Sequence, residues 1–380
     1  MIEDQPTAIG MMCGSSLDGI DVAWVHGTDL LHFSTAPLPH YLRERLRPLL
    51  GDKPLTPHEI AGLDVATALA FVDAVRRSGY RGRPDFVACH GITVAHDPAR
   101  GYSWQLGELA TLARGLSTTV IGHFRSHDVA AGGQGAPLAP LFHHHLFGAA
   151  REDRLVLNLG GIANLSELPA AGPIRGYDLG PCNLLLDPLY RRVTGNSGFD
   201  RDGDRAAGGR ARDDLLSPLL DHPFLRAAPP KSTGREAFGP PFVEAFSAAT
   251  DAAGCSPADT LRTAVRYIAA NVADHARRAA RDGAWQRLIL CGGGSHNRTL
   301  VGEIRTAVAP LPLETADYHG IDPDAVEAVG FALLGAECLR GTGQTVASIT
   351  GGPGEPILGQ IQPGPGYANL VRRLAATAAP

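Results

Sequence analysis

Lysine is nearly absent from this chain: only Lys53 and Lys231 occur among 380 residues, so almost all positive charge is arginine. With abundant alanine, glycine and proline, this reads as a compositional bias of the genome. One consequence follows: chemistry that needs a lysine has Lys231 as its main candidate. A basic surplus is also missing. The net charge of -5 argues against non-specific nucleic-acid binding, and no nucleic-acid partner is expected. No apolar run reaches the roughly 18 residues that span a bilayer, and no charged-then-apolar leader is present, which predicts no membrane partner and a cytoplasmic location. The six cysteines, Cys13, Cys89, Cys182, Cys255, Cys291 and Cys338, form no Cys-x-x-Cys pair and no zinc spacing, so they read as free thiols in a reducing compartment.

Two nucleotide motifs are lacking as well. "PPKSTGRE" holds Lys231-Ser232-Thr233 without the preceding glycine run of a Walker loop. No Gly-x-Gly-x-x-Gly follows the first strand, which counts against a Rossmann site. Two metal-like stretches also fail. His143, His144 and His145 are consecutive and would splay around a helix, and "DRDGD" (200–204) departs from the calcium-loop pattern.

What is present is an ordinary globular composition, 44% apolar and 19% charged, long enough for two domains or one large one. The segment 7–25 reads as strand, Gly/Ser turn, strand, and "RLVLNLGGIANLSEL" (154–168) repeats that grammar around Gly160-Gly161. Two such units, each opening what reads as a domain, point to paired halves. Helical periodicity covers 63–79 and 258–282, "PDFVACHG" and "TTVIGHF" read as buried strands, and "RLILCGGG" is a buried strand ending in glycines. Asp322 and Pro323 predict the start of a helix that carries Glu327, while 350–366 reads as loop. The fold class is α/β with mixed sheets.

Three glycine loops each follow an apolar strand: Gly14-Ser15-Ser16, Gly160-Gly161 and Gly292-Gly293-Gly294, with Asn164 and Asn297 after the second and third. Glycine lets backbone N–H groups approach a phosphate, and small hydroxyls add donors. Ordinary turns are the competing reading for any one of them. Asp178, ahead of Gly180-Pro181 and an apolar helix, is either a general base kept anionic by the helix end or a turn acid. Arg125 is either a fork for a carboxylate or phosphate, or half of a surface ion pair, and Glu327 is by default a solvated helix acid.

The motifs "GMMCGSSLDGID", "AGGQGAPLAP", "LNLGGIANLS", "GYDLGPCNLLLD", "PPKSTGREAF" and "CGGGSHNRTL" span almost the whole chain. Together they resemble the motifs of the anhydro-N-acetylmuramic acid kinase family. The resemblance implies two ribonuclease-H-like domains of the sugar-kinase/Hsp70/actin type around an ATP cleft, read as 1–130 with 345–380 returning to it, and 131–344. It implies ATP and Mg²⁺ as cofactors, an anhydro amino sugar as substrate and a homodimer. The implied reaction hydrolyses the 1,6-anhydro ring while phosphorylating the 6-oxygen, with N-acetylmuramic acid 6-phosphate as product.

Carried over by residue, Gly14, Ser15, Ser16, Leu17, Asp18, Gly19, Ile20 and Asp21 match the first phosphate motif. Asn158, Gly160, Gly161 and Asn164 match the second, and Gly292, Gly293 and Asn297 the adenosine side. Asp178 matches the catalytic base, while Thr93, Arg125 and Glu327 match sugar contacts; direct metal ligands are not assigned. Cys13, Ile92, Leu179 and Cys182 depart from the family pattern. Ile92 and Leu179 are expected to remove hydrogen-bonding groups near sugar or phosphate, with altered affinity. Cys13, Cys182 and Cys291 beside the glycine loops are either thiols acidified by backbone dipoles and sensitive to alkylation, or inert small residues. A same-fold kinase for another sugar or acid, and a non-catalytic nucleotide-binding protein of the actin or Hsp70 kind, are the alternatives.

Overall fold

The computed structural model describes residues 5–14, 17–49, 55–280 and 285–377. They divide into two compact units, residues 1–146 with 320–380, and residues 147–319.

Unit 1 is built on a mixed sheet. The strands are β1 (Thr7–Met12), β2 (Gly19–His26), β3 (Asp29–Pro37), β4 (Phe86–Cys89) and β7 (Thr119–Gly122), with a separate hairpin of β5 (Ile92–Asp97) and β6 (Tyr102–Leu106). β1, β2 and β3 run antiparallel, and β4 and β7 extend the sheet in parallel from β1. β1 is apolar because it is central and covered on both faces. On one side lies the helix Pro57–Arg77, which starts ahead of the expected residue 63 because Thr56 and Glu59 form a capping box around Pro57. Its Leu63, Phe71 and Val72 join Ile9, Met11, Val22 and Val87 in one core. Each such side chain contributes about 1.5–3 kcal/mol when buried.

Against β1 also lies the helix Val326–Arg340. A Cβ on Gly10 would stand 1.7 Å from the Ala328 carbonyl oxygen, so the contact requires glycine. The helix begins at Val326, later than Asp322 and Pro323 predicted. Asp322 instead closes a preceding turn, accepting from the Asp324 and Ala325 amides at 2.9 Å each. Phe331 of this helix packs on Phe142, at 5.9 Å between ring centroids. That apolar packing places 131–146 and 320–344 in unit 1, where the sequence reading had set them in the second domain. The 350–366 stretch is also not all loop: Gln360–Gln362 (β13) pairs antiparallel with β7.

Unit 2 carries β8 (Arg154–Leu159), β9 (Ile162–Leu168), β10 (Arg175–Pro181), β11 (Arg287–Cys291) and β12 (Leu313–Thr315). β8, β9 and β10 are antiparallel, and β11 and β12 run parallel to β8. The helix Pro257–Ala279 is opened by the Ser256/Asp259 capping box and buries Leu261, Val265, Ile268 and Val272 against the sheet's apolar face. Counted within each main sheet, five strands follow the same order, third, second, first, fourth, fifth, and β13 adds a sixth in unit 1. The ribonuclease-H-like arrangement therefore occurs twice, which is the sugar-kinase/Hsp70/actin type of fold.

Candidate active site

In unit 2 the ladder register assembles a polar row. Asn158 on β8 stands opposite Asn164 on β9, which stands opposite Asp178 on β10. Residues directly opposite in adjacent strands share a sheet face, so these three side chains share one as well. Asn164 Oδ1 is buried and has no hydrogen-bond partner among the described residues. An unsatisfied buried acceptor costs about 1–3 kcal/mol, which a donor on a bound ligand offsets.

Asp178 lies inside β10, where the register shifts between Asp178 and Gly180, and ahead of the helix Asn183–Thr194. It is bonded to the 231–233 segment. The Thr233 N–H donates to Asp178 Oδ2 at 2.8 Å, and the Asp178 N–H donates to the Lys231 carbonyl at 3.1 Å. Carboxylate and backbone are thereby fixed by one short stretch of chain.

The second and third glycine loops, in the same unit, lie beside this row. The Gly160 and Gly161 carbonyls accept from Asn183, Cys182 and Leu184 at 3.1, 2.9 and 3.0 Å, tying the second loop to the start of the Asn183–Thr194 helix. Gly292 has φ +79°, and a Cβ there would lie 2.2 Å from Asn158 Oδ1; only glycine lets the third loop pass so close to the polar row. Gly293 opens a turn of 3₁₀ helix, and Asn297 Oδ1 accepts from the Leu300 amide at 2.9 Å, so Asn297 caps the next helix.

Unit 1 brings together a second set. Asp21 on β2 faces Thr35 on β3, whose hydroxyl donates to it at 2.6 Å. Burial pushes the Asp21 carboxyl up to about 6; the Thr35 bond opposes this, and the Asp324 and Asp322 carboxylates add to it. Glu327 is pushed up to about 7 by burial and by Asp21, against the Arg125 guanidinium. It is therefore a partly enclosed acid in the first turn of its helix, and the solvated-acid reading is corrected.

Arg125 Nε donates to His90 Nε2 at 3.0 Å, and its Nη1 donates to the Gly135 carbonyl at 2.7 Å, which fixes the plane of the guanidinium. Burial and Arg125 hold His90 well below the usual histidine range, so it is neutral, an acceptor at Nε2. Thr93 lies opposite Gln105, whose Nε2 donates to Thr93 Oγ1 at 3.3 Å and to Ser103 Oγ at 2.8 Å. Gln105 was missed by the sequence reading, yet its buried Oε1 has no hydrogen-bond partner among the described residues. The signal was there: a glutamine at an inward position of the alternating run "YSWQL".

In the first loop, Ser15 and Ser16 lie outside the described residues. Leu17 adopts φ +60°, rare for leucine, and its amide closes a turn onto the Gly14 carbonyl at 3.0 Å. Leu17 and Ile20 are buried in the core, so a ligand meets them through backbone. Gly19 begins β2 and Asp18 is exposed beside it.

Ile92 and Leu179, which depart from the family pattern, are fully buried core residues. For Cys13 and Cys182 the acidification expectation fails: burial, and after it neighbouring carboxylates, push each up to about 12.

The profile of the family described as anhydro-N-acetylmuramic acid kinase matches residues 6–364. The chain belongs to that family. It is 38% identical to the anhydro-N-acetylmuramic acid kinase of Xylella fastidiosa over 94% of this chain and 96% of the relative. To that of Salinibacter ruber it is 39% identical, over 94% and 97%. Among solved structures, a ROK family glucokinase from Streptomyces griseus in complex with glucose and AMPPNP aligns with TM-score 0.39 and 15% identity, over 86% of this chain and 98% of its own length. Family membership makes this chain a kinase, and ATP its phosphoryl donor.

Proposed function

We propose that the chain opens the 1,6-anhydro ring of 1,6-anhydro-N-acetylmuramic acid with water and transfers the γ-phosphoryl group of ATP to the 6-oxygen. The products are N-acetylmuramic acid 6-phosphate and ADP, and the setting is peptidoglycan recycling and amino sugar degradation. The observation that carries this reading is Asp178, a carboxylate oriented by the Thr233 N–H beside the unpartnered Asn164 oxygen, in a chain of this family. Asp178 takes a proton from water as the water oxygen bonds to the anomeric carbon. The bond from that carbon to the bridging 6-oxygen of the anhydro ring breaks, and its electron pair stays on that oxygen. That oxygen bonds to the γ-phosphorus as the bond to ADP breaks, and no separate acid is needed for the leaving oxygen.

Phosphoryl transfer asks chiefly for positioning and charge neutralisation, so a chain without a Walker lysine can perform it. In this reading Gly14 through Asp21, with Asn158, Gly160, Gly161 and Asn164, serve the phosphates, and Gly292, Gly293 and Asn297 the adenosine. Thr93, Glu327 and Arg125 serve the sugar, with Arg125 pairing the lactyl carboxylate. Among the described residues no three or more His, Cys, Asp or Glu side chains form a metal cage. The mutual repulsion of Asp21, Asp322 and Asp324 nevertheless fits Mg²⁺, which binds by one or two carboxylates plus phosphate oxygens. When bound, Mg²⁺ neutralises phosphate charge. A cytoplasmic homodimer belongs to the same reading and rests on family membership alone.

Incubation with ATP, Mg²⁺ and the anhydro sugar should yield a reducing, 6-phosphorylated product, detected by mass and by reducing-end assay. No turnover there, with turnover on an open-chain hexose, would favour a same-fold kinase for another sugar. Nucleotide binding without turnover on either would favour the non-catalytic reading.

A further inference from the structure

Lys231 is only 6% exposed. Buried ammonium groups are rare and need partners, and here the partners are specific. Lys231 Nζ donates to the Phe224 carbonyl at 2.9 Å and to the Leu225 carbonyl at 3.4 Å, and it lies 4.6 Å from the centre of the Phe224 ring. Those carbonyls belong to the short helix Pro223–Arg226, whose C-terminal end favours a cation; the Phe224 carbonyl also accepts from the Ala227 amide at 3.2 Å, and the Leu225 carbonyl from Arg278 Nη1 at 3.3 Å. That helix is itself seated on β10, because Leu225 packs against Gly180, two residues beyond Asp178. From Lys231 the chain runs directly into both bonds that hold Asp178: the Lys231 carbonyl accepts the Asp178 amide, and the Thr233 amide donates to the Asp178 carboxylate.

We infer that Lys231 is a positioning residue for the reaction, its ammonium locking the 231–233 segment onto the Pro223–Arg226 helix so that the segment holds Asp178 in its productive orientation. The inference rests on Asp178 being the base. Lys231 does not act on the substrate; it acts through two backbone groups. This explains how one of only two lysines serves a phosphoryl transfer that has no Walker loop.

The clamp depends on the charge of the ammonium. Arg278, Asp274 and His275 face Lys231 from the helix Pro257–Ala279, and Asp178 faces it from β10. Burial and Arg278 bring the lysine down to about 8, while Asp178 and Asp274 work against that shift. As pH rises through about 8 the ammonium loses its proton, and with it the charged hold on the helix carbonyls.

The test uses the full-length protein with ATP, Mg²⁺ and the anhydro sugar. Lys231→Met keeps the volume and removes the charge; it should lower kcat roughly 10- to 100-fold, the scale of a misplaced catalytic group, while the ATP dissociation constant stays within about twofold. Lys231→Arg should restore most of kcat and move its alkaline limb from near pH 8 to higher pH. Near-normal kcat in Lys231→Met with an unmoved pH profile would overturn the inference and leave Lys231 as a packing residue. If Lys231→Met fails to fold, Lys231→Arg decides: an alkaline limb identical to that of the unaltered protein overturns the inference, and a raised one supports it. Asp178→Asn separates this from the parent reading. Full activity in Asp178→Asn removes the base itself, whereas an inactive Asp178→Asn beside an unaffected Lys231→Met removes only the clamp.

Discussion

The two sheets share their strand order but carry their acids on different strands. In unit 1 the row at the loop end reads Met12, Asp21, Thr35 across the first, second and third strands. In unit 2 the polar row, one residue short of the last β8–β9 pair, reads Asn158, Asn164, Asp178. The unit 1 row carries its acid on the second strand, and the unit 2 row carries its acid on the third. Their environments differ in kind. Asp21 is surrounded by other carboxylates and titrates high, an arrangement suited to a counter-cation. Asp178 is held at carboxylate and amide by one segment of backbone, an arrangement suited to a base that must point one way. One topology thus supports two electrostatic tasks because a row position fixes where a side chain stands, and its neighbours fix its charge.

The sharpest way to break this comparison is to remove each acid's charge. Asp178→Asn should lower kcat by about 10³-fold or more with ATP binding intact, measured by steady-state kinetics and calorimetry. Loss of both together would mean that Asp178 is structural. Next in size is a packing test confined to unit 1. Gly10→Ala drives a methyl group into the Ala328 carbonyl and should cost about 3 kcal/mol, read as a lower urea midpoint. An unchanged midpoint would show that the helix moves aside freely.

Asp21→Asn and Glu327→Gln should do the opposite to stability. Both acids have folded values raised, Asp21 from 3.8 to about 6 and Glu327 from 4.5 to about 7. A raised acid favours the fold below its unfolded value, and that stability is lost as pH rises through its folded value. The ligand-free protein should therefore weaken between about pH 4 and 7. Either substitution should recover on the order of 1–2 kcal/mol at pH 8 while activity falls. Thermal melts at pH 4 and pH 8 test this, and a flat stability profile would count against it. The smallest expected effect is on the thiols. With Cys13 and Cys182 buried and at about 12, iodoacetamide at pH 7.5 should leave activity within about twofold, with or without ATP.

Much of this was legible before the structure. Apolar runs broken by Gly160-Gly161 and by the 13–18 loop disclosed both hairpins, and glycine and carboxylate positions disclosed most of the candidate site. Such signals are local: period, turn chemistry and motif spacing are written within a few residues of each other. Gln105 escaped because its inward place in an alternating run marks burial alone, and only the fold shows its oxygen without a hydrogen-bond partner among the described residues. The reach of unit 1 to residues 131–146 and 320–344 escaped because it depends on Gly10 meeting Ala328 and on Phe142 meeting Phe331.

By itself the sequence determined the family, the paired strand–loop–strand units and the identity of the acids. Only the tertiary structure decided what charge those acids carry and what holds them. Dipole acidification of Cys13 was a sound local inference, and burial beside Asp21 and Asp18 reversed it. Asp178 was visible as a letter, but its hold comes from residues 231–233, brought to β10 by the fold. Titration and orientation depend on desolvation and on distant partners, and neither quantity is encoded within a window of sequence.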